Sequence, residues 1–281
     1  MQYRYQKIAV FFNERKETAL LWSDRVSAVL RNKGIEHVCI PCCEHEEWKH
    51  DADLVISIGG DGTVLHAARD LGGLEIPLLA LNAGTLGFLS VLHAEEFEAR
   101  FDMIFSVGFA ETRRSLLAGR VERDGKIVQP EAVALNDCVV KSMSSRAIRL
   151  AAHIDAVFDK TYFCDGLIVS TPSGSTAYAL AASGPIVHPS VSALLLIPIC
   201  PHTLTQRPLV LPDSMSLRIK PDFSGGSERR RPVFSVDGQV NYTMEEGDEA
   251  IIRVSERSVK MLVPPEYNYF NVLSRKLKWG E

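Results

Sequence analysis

No stretch of the 281-residue sequence is apolar for long enough to span a bilayer. The longest apolar run, Val191 to Cys200, is interrupted by Pro198, whereas a transmembrane helix needs about 20 residues. A basic excess is also missing. Lys and Arg number 31 against 35 Asp and Glu, a formal charge of −4, which excludes a bulk positive field for nucleic acid or an anionic membrane. The first apolar residues, Ile8 to Phe12, run directly into the charged stretch Asn13 to Glu17. No secretory signal is read there, and a soluble, cytoplasmic protein without nucleic-acid or membrane partners is expected. Cysteine is sparse, with six residues: Cys39, Cys42, Cys43, Cys138, Cys164 and Cys200. In a chain of this length without an export signal they are read as reduced thiols. His37, Cys39, Cys42, Cys43 and His45 lie close together and have the chemistry of zinc ligands. No second Cys/His pair follows at finger-like spacing, so the cluster is read as the end of a strand that happens to be rich in Cys and His, with zinc binding the alternative.

Three nucleotide or hydrolase signatures are absent as well. The dinucleotide fingerprint G-x-G-x-x-G fails at Leu65, because Gly60-Asp61-Gly62 has no third glycine at the required position. Gly125-Lys126 continues into Ile127 and so does not complete a P-loop. No serine sits in a Gly-x-Ser-x-Gly elbow. Phosphoryl transfer without a P-loop lysine is the chemistry left open.

Hydrophobic patterning supplies the architecture. Strand-like runs at Ile8–Phe12, Ile35–Ile40, Leu54–Ile58 and Leu78–Leu81 alternate with helical patterns at Thr18–Lys33, Thr63–Leu71 and Glu95–Phe105, the signature of a parallel sheet flanked by helices. From about Ser115 the pattern becomes β-rich, with a hairpin predicted around Asp124-Gly125 and a second turn at Asp237-Gly238. Short β-like runs are read at Val139–Lys141, Ile148–Phe158, Leu167–Ser170, Leu194–Ile199, Ser216–Ile219, Val233–Val236, Ala250–Val254 and Val259–Val263. Only Ser175–Ser183 reads as helical in this half, and Ser224–Arg231 reads as an exposed loop. The expected fold is an α/β N-terminal domain with a parallel sheet (1–114), followed by a β-rich, sandwich-like C-terminal domain (115–264).

The strongest chemical signal is Gly59-Gly60-Asp61-Gly62-Thr63, between a buried strand and a helix. Glycines let a ligand approach the backbone, and the helix start offers free N–H groups suited to phosphate. A carboxylate in such a turn either accepts a proton, binds a cation that bridges phosphates, or caps the helix. A second glycine-rich turn, Asn82-Ala83-Gly84-Thr85-Leu86-Gly87-Phe88-Leu89, leaves the same sheet edge; its Phe88 is read either as a stacking surface for a base or as a loop anchor. The third segment, Asp165 to Tyr178, places Ser173, Ser175 and Thr176 at a helix start, supplying compact donors for ribose, amide or phosphate. Asn136-Asp137 adds an amide and a carboxylate able to read a ribose or adenine edge.

These four segments, in this order and spacing, resemble the NAD kinase family. The likeness extends through Pro198 to Leu204, Arg207-Pro208-Leu209 and the Lys276 to Trp279 end. The resemblance implies phosphorylation of the 2′-hydroxyl of the adenosine ribose of NAD by ATP or another phosphoryl donor, with a divalent cation such as Mg²⁺. It implies NAD held between the two domains, often completed by a neighbouring subunit of a homodimer or homotetramer, and a 265–281 tail that packs back on the N-terminal domain. Matched position by position, Asp61 falls at the proton acceptor, with Gly62 beside it. Asn136, Asp137, Asp165, Ser173, Thr176, Ala177 and Tyr178 fall at NAD-contacting positions, and Arg146 and Gln239 are matched more loosely. Asp137 stands where many members carry glutamate, and Phe163 where some carry a basic residue. No protein metal ligand is implied. A lipid kinase sharing the Gly59 to Thr63 motif and a non-catalytic nucleotide sensor are the alternative readings.

Overall fold

The computed structural model describes residues 3–42, 51–84, 87–106, 108–144, 146–223 and 231–279. The chain divides into two compact units, Met1–Arg114 with Ser258–Glu281, and Ser115–Arg257.

The first unit is built on buried parallel strands. They are β1 (Lys7–Phe12), β2 (Glu36–Pro41), β3 (Leu54–Gly59), β4 (Pro77–Asn82) and the short β5 (Leu92–His93). Pairing gives the order β2-β1-β3-β4, all parallel, and β4 also pairs with β5. β3 and β4 are buried at every position, as strands covered on both faces must be, which is why they read as unbroken apolar runs. Helix α1 (Glu17–Asn32) connects β1 to β2, α2 (Asp61–Leu71) connects β3 to β4, and α3 (Phe97–Ile104) follows β5. The buried faces of α1 and α3, including Val26 and Leu30 on α1 and Phe97 and Phe101 on α3, join Ile8, Val10, Ile56 and Leu79 in one apolar cluster. Phe101 and Phe105 stack at 4.3 Å between ring centroids.

Three elements expected from the sequence need correction. Helix α2 begins at Asp61, two residues before the predicted Thr63, and Gly60 occupies the N-cap. The alternative reading of Asp61 as the helix cap is therefore not taken up. The run predicted as a single Ile148–Phe158 strand is a hairpin of β9 (Ile148–Ile154) and β10 (Phe158–Cys164), turned at Asp155 with φ 47°. Residues Ala250 to Val263, read as two runs, lie in one strand, β17 (Asp248–Val263).

The second unit contains β6 (Ala110–Arg123, entering it at Ser115), β7 (Lys126–Ala134), β8 (Asp137–Lys141), β9, β10, β11 (Gly166–Ser170), β12 (Ala193–Ile199), β13 (Leu209–Pro212), β14 (Ser216–Pro221), β15 (Val233–Val236) and β16 (Val240–Thr243). The predicted hairpin at Asp124-Gly125 joins β6 to β7. One antiparallel sheet has the order β13-β12-β11-β8-β15-β16. In the other, β10, β9, β14 and the 250–253 stretch of β17 pair antiparallel in that order. Val140, Leu167, Leu196 and Phe234 of the first sheet and Leu150, Ile154, Leu217 and Ile252 of the second belong to one apolar cluster. Two sheets with a shared interior layer form a sandwich. The opposite face of the first sheet is also covered, by Ala179 of the short helix α4 (Tyr178–Ala181) against Ile168 and Ile197. The helical reading of Ser175–Ser183 resolves into a 3₁₀ turn at Ser173–Thr176 and α4, broken at Ala177 (φ −102°, ψ −126°).

The chain returns to the first unit at Ser258, where Lys260 and Met261 of β17 pair parallel with β4. It ends in α5 (Tyr269–Leu277), capped by the Asn268 side chain accepting from the Phe270 amide at 2.9 Å. Within this unit Arg100 of α3 pairs with Glu266. No helix among the described residues is long and apolar enough to cross a membrane.

Candidate active site

Strand order locates the first half of the chemistry. From β1 the chain winds outward to β2, and from β3 it winds the opposite way to β4, so the reversal lies between β1 and β3. Ligands of open parallel sheets bind outside the carboxyl ends of the strands at such a reversal. The loops leaving those two ends are Asn13–Lys16 and Gly60–Asp61, and they are tied together: the Asn13 amide donates to the Ile58 carbonyl at 3.3 Å.

Asp61 is the focus of this corner. Its Oδ2 accepts from the Phe88 amide at 2.9 Å and its Oδ1 from the Leu89 amide at 3.2 Å. The two glycine-rich turns expected to face one crevice are thus joined through a carboxylate. Each oxygen accepts one of these bonds, and a carboxylate has about four lone-pair sites, so acceptor capacity remains. Gly87 is fixed by the same geometry, because a Cβ there would overlap the Asp61 carboxylate. The Ala83 amide donates to the Gly59 carbonyl at 3.0 Å, and Asn82 Oδ1 accepts from Gly84 N at 2.6 Å. Phe88 is half-buried. A Cβ on Gly62 would meet nothing within 4 Å, and on the open side of Gly60 the nearest atom is Lys16 Nζ, 3.8 Å from a Cβ position. Lys16 is exposed at the N-cap of α1 and makes no ion pair among the described residues. Sequence reasoning misses it. Its partner, Gly60, lies far along the chain, and an isolated lysine carries no local motif.

The second unit assembles the remaining residues around the start of β8. Thr171 N donates to the Asn136 carbonyl at 2.9 Å and Ser170 Oγ to the same oxygen at 3.1 Å. Thr171 Oγ1 donates to the Leu135 carbonyl at 2.6 Å. These bonds seat the Ser173–Thr176 turn against Asn136-Asp137. Several hydroxyls that sequence offers as ligand donors are spent inside the protein: Ser175 Oγ donates to Pro172 O at 2.6 Å and Thr176 Oγ1 to Ser173 O at 3.2 Å. Ser173, by contrast, makes no side-chain hydrogen bond among the described residues. Asn136 Oδ1 is buried without a hydrogen-bond partner among the described residues.

Asp137 is 6% exposed, and its carboxyl is pushed up to about 7, first by burial and then by the neighbouring Asp237 charge, against the pull of Lys141. Tyr178 lies close enough to Asp137 and Asp165 that burial and then their charges raise its phenol, and Lys141 Nζ sits 5.8 Å from its ring centroid. The Asp165 amide donates to the Ile199 carbonyl at 2.9 Å, fixing the entry to β11. Arg146 is exposed in the β8–β9 connection, its amide 3.4 Å from Ser144 Oγ; among the described residues no hydrogen bond or ion pair joins it to the cluster. Gln239 follows the Asp237-Gly238 turn, its amide bonded to the Val236 carbonyl at 2.9 Å.

In sequence Asp237 is legible only as a turn residue. Its carboxylate accepts from the backbone amides of Leu135 (2.8 Å), Asn136 (2.9 Å) and Asp137 (3.0 Å). The turn signal is visible, but the partners stand about a hundred residues away and only the sheet order brings them in.

Among the described residues no three Asp, Glu, His or Cys side chains converge to hold a metal ion. Cys43 and His45 of the sequence cluster lie outside the described residues, and Cys39 is exposed, its sulfur 3.2 Å from Ser27 Oγ.

Known proteins match this arrangement over both units. The ATP-NAD kinase N-terminal domain matches residues 42–108 and the ATP-NAD kinase C-terminal domain residues 135–263. An NAD kinase of Solibacter usitatus is 41% identical over 237 residues, covering 84% of this chain and 81% of its own. One of Geobacter sp. strain M21 is 36% identical over 98% of this chain and 99% of its own. Among solved structures, yeast NADH kinase complexed with NADH superposes with a TM-score of 0.88 at 25% identity, over 98% of this chain and 88% of that one. An Archaeoglobus fulgidus NAD kinase in complex with ATP gives 0.77 at 25% identity, over 97% and 98%. With full-length relatives above 30% identity and both domains matched, this chain belongs to the NAD kinase family.

Proposed function

We propose that the protein transfers the terminal phosphoryl group of ATP to the 2′-hydroxyl of the adenosine ribose of NAD, giving NADP and ADP. The donor's phosphates would approach the start of α2, where no side chain crowds the Cβ positions of Gly60 and Gly62, and the Lys16 ammonium, at the β1/β3 reversal. Magnesium would arrive as part of that substrate. An ion held by phosphates and water needs at most one or two protein carboxylates, which suits a loop offering Asp61 alone. The adenosine ribose and its base would be read by Asn136, Asp137, Ser173, Ala177 and Tyr178, with Asp165, Thr176, Arg146 and Gln239 as further contacts.

The chemistry is mainly positioning and charge neutralisation. The ribose oxygen forms a bond to the γ-phosphorus as the bond to the β–γ bridging oxygen breaks. The hydroxyl proton passes to Asp61, which orients that hydroxyl beforehand. The observation that carries this reading is Asp61 itself: a carboxylate in a glycine turn, fixed by the Phe88 and Leu89 amides and still able to accept.

The test is incubation of the purified protein with NAD, ATP and Mg²⁺, with NADP detected by an NADP-specific dehydrogenase. Product is expected to accumulate in step with ADP. A protein that binds both nucleotides and forms no NADP overturns the proposal.

A further inference from the structure

Three backbone amides in succession, those of Leu135, Asn136 and Asp137, point at one carboxylate, Asp237. The clasp is closed from the other side, because the Asp237 amide donates to the Asp137 carbonyl at 2.9 Å. Charge-assisted bonds of this kind are about twice as strong as neutral ones. The turn brings the carboxylate round to meet them, with Asp237 and Gly238 both in the left-handed region at φ 50° and 67°. A plain tight turn between β15 and β16 requires that conformation but no carboxylate, and asparagine or glycine would serve as well. The segment held by the clasp carries two polar side chains that it does not spend on the protein. Asn136 Oδ1 is buried with no hydrogen-bond partner among the described residues, and the Asp137 carboxyl, 6% exposed, makes no hydrogen bond among them either. A buried polar atom without a partner, as at Asn136, costs about 1–3 kcal/mol, which the bonds of the clasp offset.

We infer that Asp237 is the positioning residue of the NAD site, holding Asn136 and Asp137 in their ligand-reading geometry through the three amides and setting the electrostatic environment of the Asp137 carboxyl. It touches no substrate itself. The inference rests on the proposed reading of Asn136-Asp137 as NAD contacts. The charged and titratable groups facing Asp137 are Asp237 from the β15–β16 turn, Lys141 and the Cys138 thiol from β8, and Tyr178 from α4. Asp237 is the one among them whose charge opposes ionisation of Asp137.

The substitution Asp237→Asn keeps the shape and one acceptor oxygen but removes the charge. With ATP saturating, KM for NAD is expected to rise about 10-fold or more, the loss of one good hydrogen bond, while KM for ATP stays within about two-fold. The acid limb of kcat/KM for NAD is also expected to move to lower pH, because one negative neighbour is gone. A merely structural turn residue would lower stability and leave that limb in place. A folded variant with unchanged KM for NAD, or with an unmoved limb, overturns the inference. Should the variant not fold, hydrogen exchange on the unmodified protein decides. The Leu135, Asn136 and Asp137 amides are expected to be protected before NAD is added, and exchange at unprotected rates in the free protein overturns the inference. Failure of the unmodified protein to form NADP would defeat the functional reading and leave the exchange result standing on its own.

Discussion

Replacing Asp137 with asparagine is expected to stabilise the protein while weakening it as an NAD kinase. The carboxyl is 6% exposed, and burial, then Asp237, moves it from 3.8 to about 7 in the folded state. The unfolded chain ionises near the ordinary value, so between those two limits the folded protein binds the extra proton. Stability therefore falls as pH rises through this window. A rise from 3.8 to about 7 corresponds to about 4 kcal/mol, complete above the folded value. About half of it, ~2 kcal/mol, develops between roughly pH 5.5 and pH 8.5. Urea unfolding of the ligand-free protein, followed by the signal of the second unit, should show the unmodified protein losing stability across that range relative to Asp137→Asn by this amount. Carbon-13 titration of the Asp137 carboxyl should give a midpoint near neutrality. The same substitution should raise KM for NAD, the usual exchange of stability against function at a strained site. Parallel pH profiles of the two proteins, or a midpoint in the ordinary carboxylate range, would refute the reasoning.

Three further outcomes are expected. Asp61→Asn should lower kcat by ~10²–10⁴-fold with KM for NAD nearly unchanged, measured by steady-state NADP formation. Its amide nitrogen also faces an N–H of Phe88 or Leu89, so a drop in melting temperature should accompany the kinetic loss. Gly87→Ala places a methyl where the Asp61 carboxylate sits, and should displace the carboxylate and reduce turnover by ~10²-fold, the scale of a 1 Å misplacement. A crystal structure of this variant with Asp61 still bonded to both amides would contradict that account. Lys16→Ala should raise KM for ATP ~10-fold or more while sparing KM for NAD, since a charge-assisted phosphate contact contributes about 1.5–3 kcal/mol. Lys126→Gln, at an exposed hairpin tip, is the control for a general effect of charge.

Local regularities were legible. The buried runs of β3 and β4, the amphipathic spacing of α1 and the Asp-Gly turns each depend on residues close in sequence, and all formed. Elements with weak local signals were not. β10 is an edge strand whose residues Phe158 to Thr161 are exposed, so no apolar alternation marks it. β17 appears broken in sequence because Glu256 and Arg257 face solvent in mid-strand. Composition favours a helix over Ser175–Ser183, whereas the backbone breaks at Ala177 between a 3₁₀ turn and α4, with the Ser175 hydroxyl bonded to the Val187 carbonyl.

By itself the sequence determined the fold class, the glycine turn that exposes backbone around Asp61, and the small-hydroxyl segment preceding Tyr178, because each is specified within a dozen neighbouring residues. Tertiary structure alone decided that Asp61 would clasp the Phe88 and Leu89 amides rather than cap its own helix, that Lys16 would lie beside Gly60, and that Asp237 would gather three amides a hundred residues upstream. The physical reason is that a carboxylate bonds whatever donor the strand order brings within about 3 Å, and strand order is settled by burial over the whole sheet.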